Sequence, residues 1–268
     1  MSESIFLINS KGELEELNES GYLTEDELQS LLARYPNLIS GKQINSDNPR
    51  RWLLVTREMG VPDEQDMSNR WALDHLFIDQ EGIPTLVEVK RSTDTRIRRE
   101  VVGQILDYAS NAIAYWKIED IISNFQSTCK DLNVDYEERL NEFLDMGTEP
   151  DEFWQIVDTN LKAGKIRMMI IADSIPKELK RIIEFLNEQL NPSEFLGLEI
   201  KQFSGRDIKT LVPSVLGNTS TSQLTKTKTS KTKIYREEED YIKEFEQFNG
   251  SESIEIINKM TFLLKSML

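Results

Sequence analysis

The stretch from Trp71 to Lys90, WALDHLFIDQEGIPTLVEVK, constrains the fold more than any other part of the chain. Two runs rich in β-branched and aromatic residues, Trp71 to Asp79 and Ile83 to Lys90, flank Gln80-Glu81-Gly82. Such runs around a glycine-bearing turn predict a β-hairpin. A three-residue loop needs a left-handed residue, and Gly82 supplies one without a steric cost. In that register Asp79 faces Ile83, and counting outward sets Asp74 opposite Glu88. A loop one residue shorter or longer would turn Asp74 to the other face. Side chains alternate along a strand, so Glu88 and Lys90 join Asp74 on one face with Leu76, Ile78 and Leu86. His75 points the other way with Trp71, Leu73 and Phe77, and is expected to be a packed, hydrogen-bonded histidine.

Around the hairpin the chain alternates helical and strand patterns, which predicts an α/β protein. Thr24 to Tyr35 reads as a helix with Thr24 as N-cap, an apolar stripe of Leu28, Leu31, Leu32 and Tyr35, and Pro36 as its stop. Trp52 to Thr56 has strand length and precedes a Gly60/Pro62 break. Arg96 to Lys117 is the clearest helix, with Val101, Ile105, Tyr108, Ala109, Ala112, Ile113 and Trp116 on one stripe. Residues from about Ile118 to Ala163 read as an acidic helical insertion anchored by Phe143, Phe153 and Trp154, with Cys129 as a small buried hydrophobe. Strand Lys165 to Asp173, helix Pro176 to Leu190 and strand Leu198 to Phe203 form a βαβ pattern. The Thr/Ser/Lys run from Gly217 to Lys233 cannot bury enough apolar surface to fold and reads as a linker. Residues 234–268 form a helical tail too short for a core of its own, expected to dock on the main domain, a second copy or a protein partner.

Composition limits the chemistry. The 268 residues hold one cysteine and one histidine, which excludes a disulfide framework and cysteine or histidine clusters for metal. No run approaches the roughly 18 apolar residues of a membrane helix. The opening MSESIFLINSKGELEEL carries acids and no basic segment, so neither a signal peptide nor a membrane partner is expected, and a reduced cytoplasmic protein is. What remains for chemistry is the cluster of Asp74, Glu88 and Lys90. Acid-x-Lys also occurs at Glu178, Glu199 and Asp207, so the tripeptide alone signals little; otherwise Glu88 and Lys90 are a surface ion pair. Two opposed carboxylates repel, and Mg²⁺ (or Mn²⁺) relieves this well, since it takes one or two carboxylates and fills its shell with other oxygens. The Val89 carbonyl is a further candidate ligand. A lysine beside such a cation orients water and balances transition-state charge. Gln104 and Tyr108 lie i, i+4 on the long helix and face together. Glu27 has two readings: a site carboxylate, or the acid of a Thr24-x-x-Glu27 capping box.

An early helical Glu27, the Asp74 strand, Glu88-Val89-Lys90 and then Gln104-x-x-x-Tyr108 together resemble the PD-(D/E)xK nuclease superfamily. They are most similar to its RecB-like and NucS-like branch with a Q-x-x-x-Y motif. WALDHLFIDQEGIPTLVEVKRSTDTRIRREVVGQILDYA is the most specific stretch, AGKIRMMIIADSIPKELKRIIEFLNEQL adds to it, and the likeness spans roughly residues 5 to 215. It implies a restriction endonuclease-like core over residues 1–216, a mixed central sheet flanked by helices, with the helical insertion and the C-terminal helical tail as additions. Asp74 and Glu88 would be metal ligands and Lys90 the catalytic lysine. Glu27 would assist at the metal, and Gln104 and Tyr108 would steady the site or the nucleic acid. Leu73 stands where the motif's proline would be.

The expected function is therefore a Mg²⁺-dependent nuclease hydrolysing phosphodiester bonds in DNA, with RNA also open, in phage defence, restriction or repair. A net charge of −15 opposes a general polyanion binder. Locally the balance reverses, because Lys90, Arg91, Arg96, Arg98 and Arg99 face one acid, Asp94, between residues 90 and 99, and Arg50, Arg51 and Arg57 flank the preceding strand. Phosphate contacts need such a patch rather than a basic whole. Two other classes stand beside this one: a non-cleaving nuclease-fold module that binds nucleic acid or protein, and an acidic decoy of DNA.

Overall fold

The computed structural model describes residues 4–8, 11–62, 69–98 and 100–218, with the backbone alone at 69–71, 96 and 98. The chain divides into two compact units, Met1–Gln223 and Leu224–Leu268. The second unit lies outside the described residues, and with it most of the expected linker and the whole tail.

In chain order the elements are β1 (Ser4–Ile8), β2 (Leu14–Ser20), α1 (Glu25–Arg34), α2 (Gly41–Ile44), β3 (Trp52–Pro62), β4 (Asn69–Asp79) and β5 (Pro84–Lys90). They continue with α3 (Glu100–Tyr115), α4 (Ile118–Asp131), α5 (Tyr136–Phe143), α6 (Pro150–Lys162), β6 (Arg167–Ala172), α7 (Lys177–Gln189), β7 (Glu194–Ser204) and β8 (Lys209–Leu216). One mixed eight-stranded sheet runs β1-β2-β7-β6-β5-β4-β3, with β8 also paired to β7. This is the expected α/β class with helices flanking a mixed sheet.

Strand alternation builds two cores. Leu86, Met168 and Ile170 face α3, α4, α6 and α7, while Val87, Val89, Met169 and Ile171 face α1 and its neighbours. Strands β5 and β6 are buried along their whole length, as parallel strands covered on both faces must be. The β5-α6-β6 and β6-α7-β7 segments lie across parallel pairs, so the expected βαβ unit forms. Among the described residues no helix is long and apolar enough to cross a membrane.

Several local expectations are corrected. β3 does not break at Gly60 but runs to Pro62, because its ladder with β4 continues through Gly60↔Ala72. The Gly60 carbonyl also accepts the Trp116 indole N–H at 3.0 Å. Leu73 packs with Leu76 rather than away from it. The paired strand β3 is irregular here, with a register shift between Leu54 and Thr56 and a left-handed Glu58 at φ 53°. Tyr35 is exposed and Gln29 takes the buried place on α1 instead. A 3-10 turn at Thr95–Arg98 stands where the long helix is expected to begin, and the described α-helix runs Glu100–Tyr115. The insertion holds three helices, and Cys129 is buried in the first.

Candidate active site

Glu88 and Lys90 enter the interior because β5 is a central strand with helices on both sides. Gly82 adopts φ +68° and the ladder pairs Leu76 with Leu86 and His75 with Val87. This is the three-residue-loop register that brings Asp74 beside Glu88. The two strands part immediately beyond His75. Asp74 fills the gap, its Oδ2 accepting the Val89 backbone N–H at 2.7 Å. A side chain thus replaces the ladder at the carboxyl end of β5, where open α/β sheets bind ligands.

Lys90 Nζ donates to Glu88 Oε1 at 2.6 Å and to the Val89 carbonyl at 3.1 Å. Glu88 is 1 % exposed and Lys90 4 %, so this is no surface ion pair. Glu88 Oε2 is buried, and no described group hydrogen-bonds it. A buried polar atom without a partner is costly and calls for a ligand or ion. Burial pushes the Asp74 carboxyl up to about 6, against the pull of the Val89 N–H and Lys90. Burial, with the Asp74 charge second, raises Glu88 to about 7. Burial pulls Lys90 down, yet Glu88, Asp74 and Glu25 together outweigh it and leave the ammonium favoured.

From α3, Gln104 Nε2 donates to the Tyr108 hydroxyl at 2.9 Å. The i, i+4 pair therefore forms, and Tyr108 feels the charges of Glu88, Asp74 and Lys90. Glu27 does not join them. Its backbone N–H donates to Thr24 Oγ1 at 3.1 Å and its Oε2 accepts the Leu23 N–H at 2.9 Å, while Lys209 Nζ lies 3.7 Å from Oε1. Of its two readings, the capping acid is the one the geometry realises. Glu25, two residues earlier and on the opposite side of the same helix, is the carboxylate that approaches Lys90, at 3.6 Å. The sequence held a signal for this: Thr24 as cap leaves Glu27 tied to the helix end and Glu25 free to turn inward.

The basic residues divide. Arg57 is spent on α1, donating to Asp26 Oδ1 at 2.7 Å, Gln29 Oε1 at 3.1 Å and Ser30 Oγ at 3.2 Å. Arg50 pairs with Asp79 and Glu81, and Arg51 with Asp145, at the turn end of the hairpin rather than beside Asp74. Arg91 is half-buried just past Lys90. The side chains of Arg96 and Arg98, and all of Arg99, lie outside the described residues. His75 is fully buried, stacks on Phe77 and bonds the Gln29 carbonyl at 2.9 Å, and burial lowers it to about 4.

Among the described residues no group of three or more His, Cys, Asp or Glu is placed to hold a metal ion. The oxygens at hand are two carboxylates and one carbonyl, a hard donor set suited to Mg²⁺ or Mn²⁺ with water completing the shell. The unpartnered Glu88 Oε2 fits such an ion. The chain matches no family model, no curated protein and no solved structure.

Proposed function

We propose that the chain is a divalent-cation-dependent nuclease with a restriction endonuclease-like core, acting on DNA. The observation that carries this reading is the buried Glu88–Lys90 pair with one carboxylate oxygen unpartnered, next to Asp74 at a strand divergence. Burying a carboxylate and an ammonium costs several kcal/mol per ion before their attraction is counted. A fold gains little from that arrangement unless the site binds something charged.

Asp74, Glu88 and the Val89 carbonyl would hold Mg²⁺ or Mn²⁺. When bound, the cation supplies Lewis-acid polarisation of a phosphoryl oxygen and makes water a stronger nucleophile. The protein's own part begins with Lys90, whose ammonium fixes the Glu88 carboxylate and adds positive charge where the phosphorane-like transition state accumulates negative charge. Asp74 holds the end of β5 through Val89 and keeps the strand gap open. Tyr108, steadied by Gln104, lines the same face. Arg91 begins a segment of local positive charge that would contact phosphate. Glu25 is the helix α1 carboxylate best placed to assist.

The test is cleavage of plasmid, duplex, single-stranded and RNA substrates in Mg²⁺ or Mn²⁺. Activity that needs the cation and disappears in Glu88→Ala is the expected outcome. Cation-dependent stabilisation with nucleic-acid binding but no cleavage would favour the non-cleaving module. No cleavage, no cation binding and affinity for a basic protein would favour the acidic decoy.

A further inference from the structure

The loop that follows Lys90 is tied to the neighbouring strand by one side chain. β5 and β6 run parallel with Lys90 beside Ala172, so the residues just past the two strand ends meet. Asp173 Oδ1 accepts the Ser92 backbone N–H at 2.6 Å, and Oδ2 accepts the Ser92 hydroxyl at 2.8 Å. Two charge-assisted bonds to one residue, one of them to main chain, fix both the position and the direction of the loop. The chain then turns, with the Asp94 N–H donating to the Arg91 carbonyl at 2.9 Å and the Ile97 N–H to the Asp94 carbonyl at 3.2 Å. It enters the 3-10 turn at Thr95–Arg98 from there.

This segment is locally basic and joins Lys90 to the helix bearing Gln104 and Tyr108. Ser92 is exposed and Asp173 half-buried. Solvated charge-assisted pairs of this kind add little to global stability. The clamp is thus better suited to setting one loop than to holding the fold.

We infer that Asp173 is a positioning residue for nucleic-acid binding: by gripping Ser92 it holds Arg91 and the start of the loop at the end of β5, next to the Asp74–Glu88–Lys90 centre. This rests on the nuclease reading above. It also reverses a simple electrostatic expectation. Removing a carboxylate beside a polyanion site should tighten binding, whereas loss of the clamp weakens it.

The experiment compares the wild-type chain with Asp173→Ala, Ser92→Ala and Ser92→Thr. Three quantities are read: affinity for a duplex oligonucleotide by anisotropy in Ca²⁺, kcat and KM in Mg²⁺, and hydrogen exchange at the Ser92 amide. Asp173→Ala, which removes both acceptors, is expected to weaken binding about tenfold, raise KM alike, leave kcat within about twofold and speed exchange at Ser92. Ser92→Ala, which keeps the amide bond, should fall between, and Ser92→Thr should match wild type. Equal or tighter binding by Asp173→Ala overturns the inference while leaving the nuclease reading standing. A wild-type chain that binds no oligonucleotide overturns both.

Discussion

Glu88 carries the sharpest consequence at the scale of single residues. Its carboxyl and that of Asp74 are held above their ordinary values of 4.5 and 3.8, chiefly by burial. A raised carboxyl pKa means that the folded chain binds the proton more tightly than the unfolded one. The stability this contributes is therefore full below the ordinary values and is lost as pH rises through about 6 and about 7. In cation-free buffer the thermal midpoint should fall over that range. Glu88→Gln should flatten the dependence, and Mg²⁺ at higher pH should raise the wild-type midpoint by several degrees without moving that of Glu88→Gln. Thermal unfolding against pH checks both, and a variant with the full wild-type slope would show that the buried carboxyl is not its source.

Among elements, helix α1 separates a structural acid from a site acid. Glu27 is tied to the helix start, giving its N–H to Thr24 Oγ1 and accepting the Leu23 N–H, and Glu25 reaches toward Lys90. Thr24→Ala should cost about 1 kcal/mol in chemical denaturation, Glu27→Gln less, because the amide oxygen still accepts the Leu23 N–H, and both should leave cleavage near wild type. Glu25→Gln should lower cleavage with little change in stability. If Glu27→Gln abolishes cleavage in a stable protein, the assignment of the two acids is reversed. Much of this level was legible in the sequence. The hairpin register followed from Gly82, the βαβ unit from its alternating pattern, and the packed state of His75 from strand parity. What escaped was set by tertiary context. The β1–β2 hairpin is acidic and half-exposed, so its alternation is weak, and Leu17 is the residue its inner face buries completely. β3 continues past Gly60 because its ladder with β4 continues, and Trp116, distant in sequence, takes the Gly60 carbonyl. The roles of Arg50, Arg51 and Arg57 depend on acids far along the chain, which charge counting cannot see.

For the molecule as a whole, the sheet is locked at the end away from the candidate site. Arg167 is fully buried, donating to Asp79 at 3.1 Å, Thr85 at 3.1 Å and Glu194 at 2.6 Å, with its guanidinium 5.3 Å from the Trp52 ring centroid. It joins three strands to the hairpin turn, so Arg167→Ala should cost about 3–5 kcal/mol in denaturant unfolding by stranding a buried carboxylate. A cost below about 1 kcal/mol would mean that the network is replaceable. On the proposed nuclease reading, the net charge of −15 opposes contact over most of the surface, and nucleic-acid binding should weaken steeply with salt. The buried Glu88–Lys90 pair beside Asp74 is the proposed catalytic centre. Its most direct test is the rate of DNA cleavage in Mg²⁺ by Lys90→Ala relative to wild type, with folding of the variant checked by circular dichroism. A loss of at least about a hundredfold in a folded protein is predicted, and cleavage by Lys90→Ala at the wild-type rate would rule out a catalytic role for the pair.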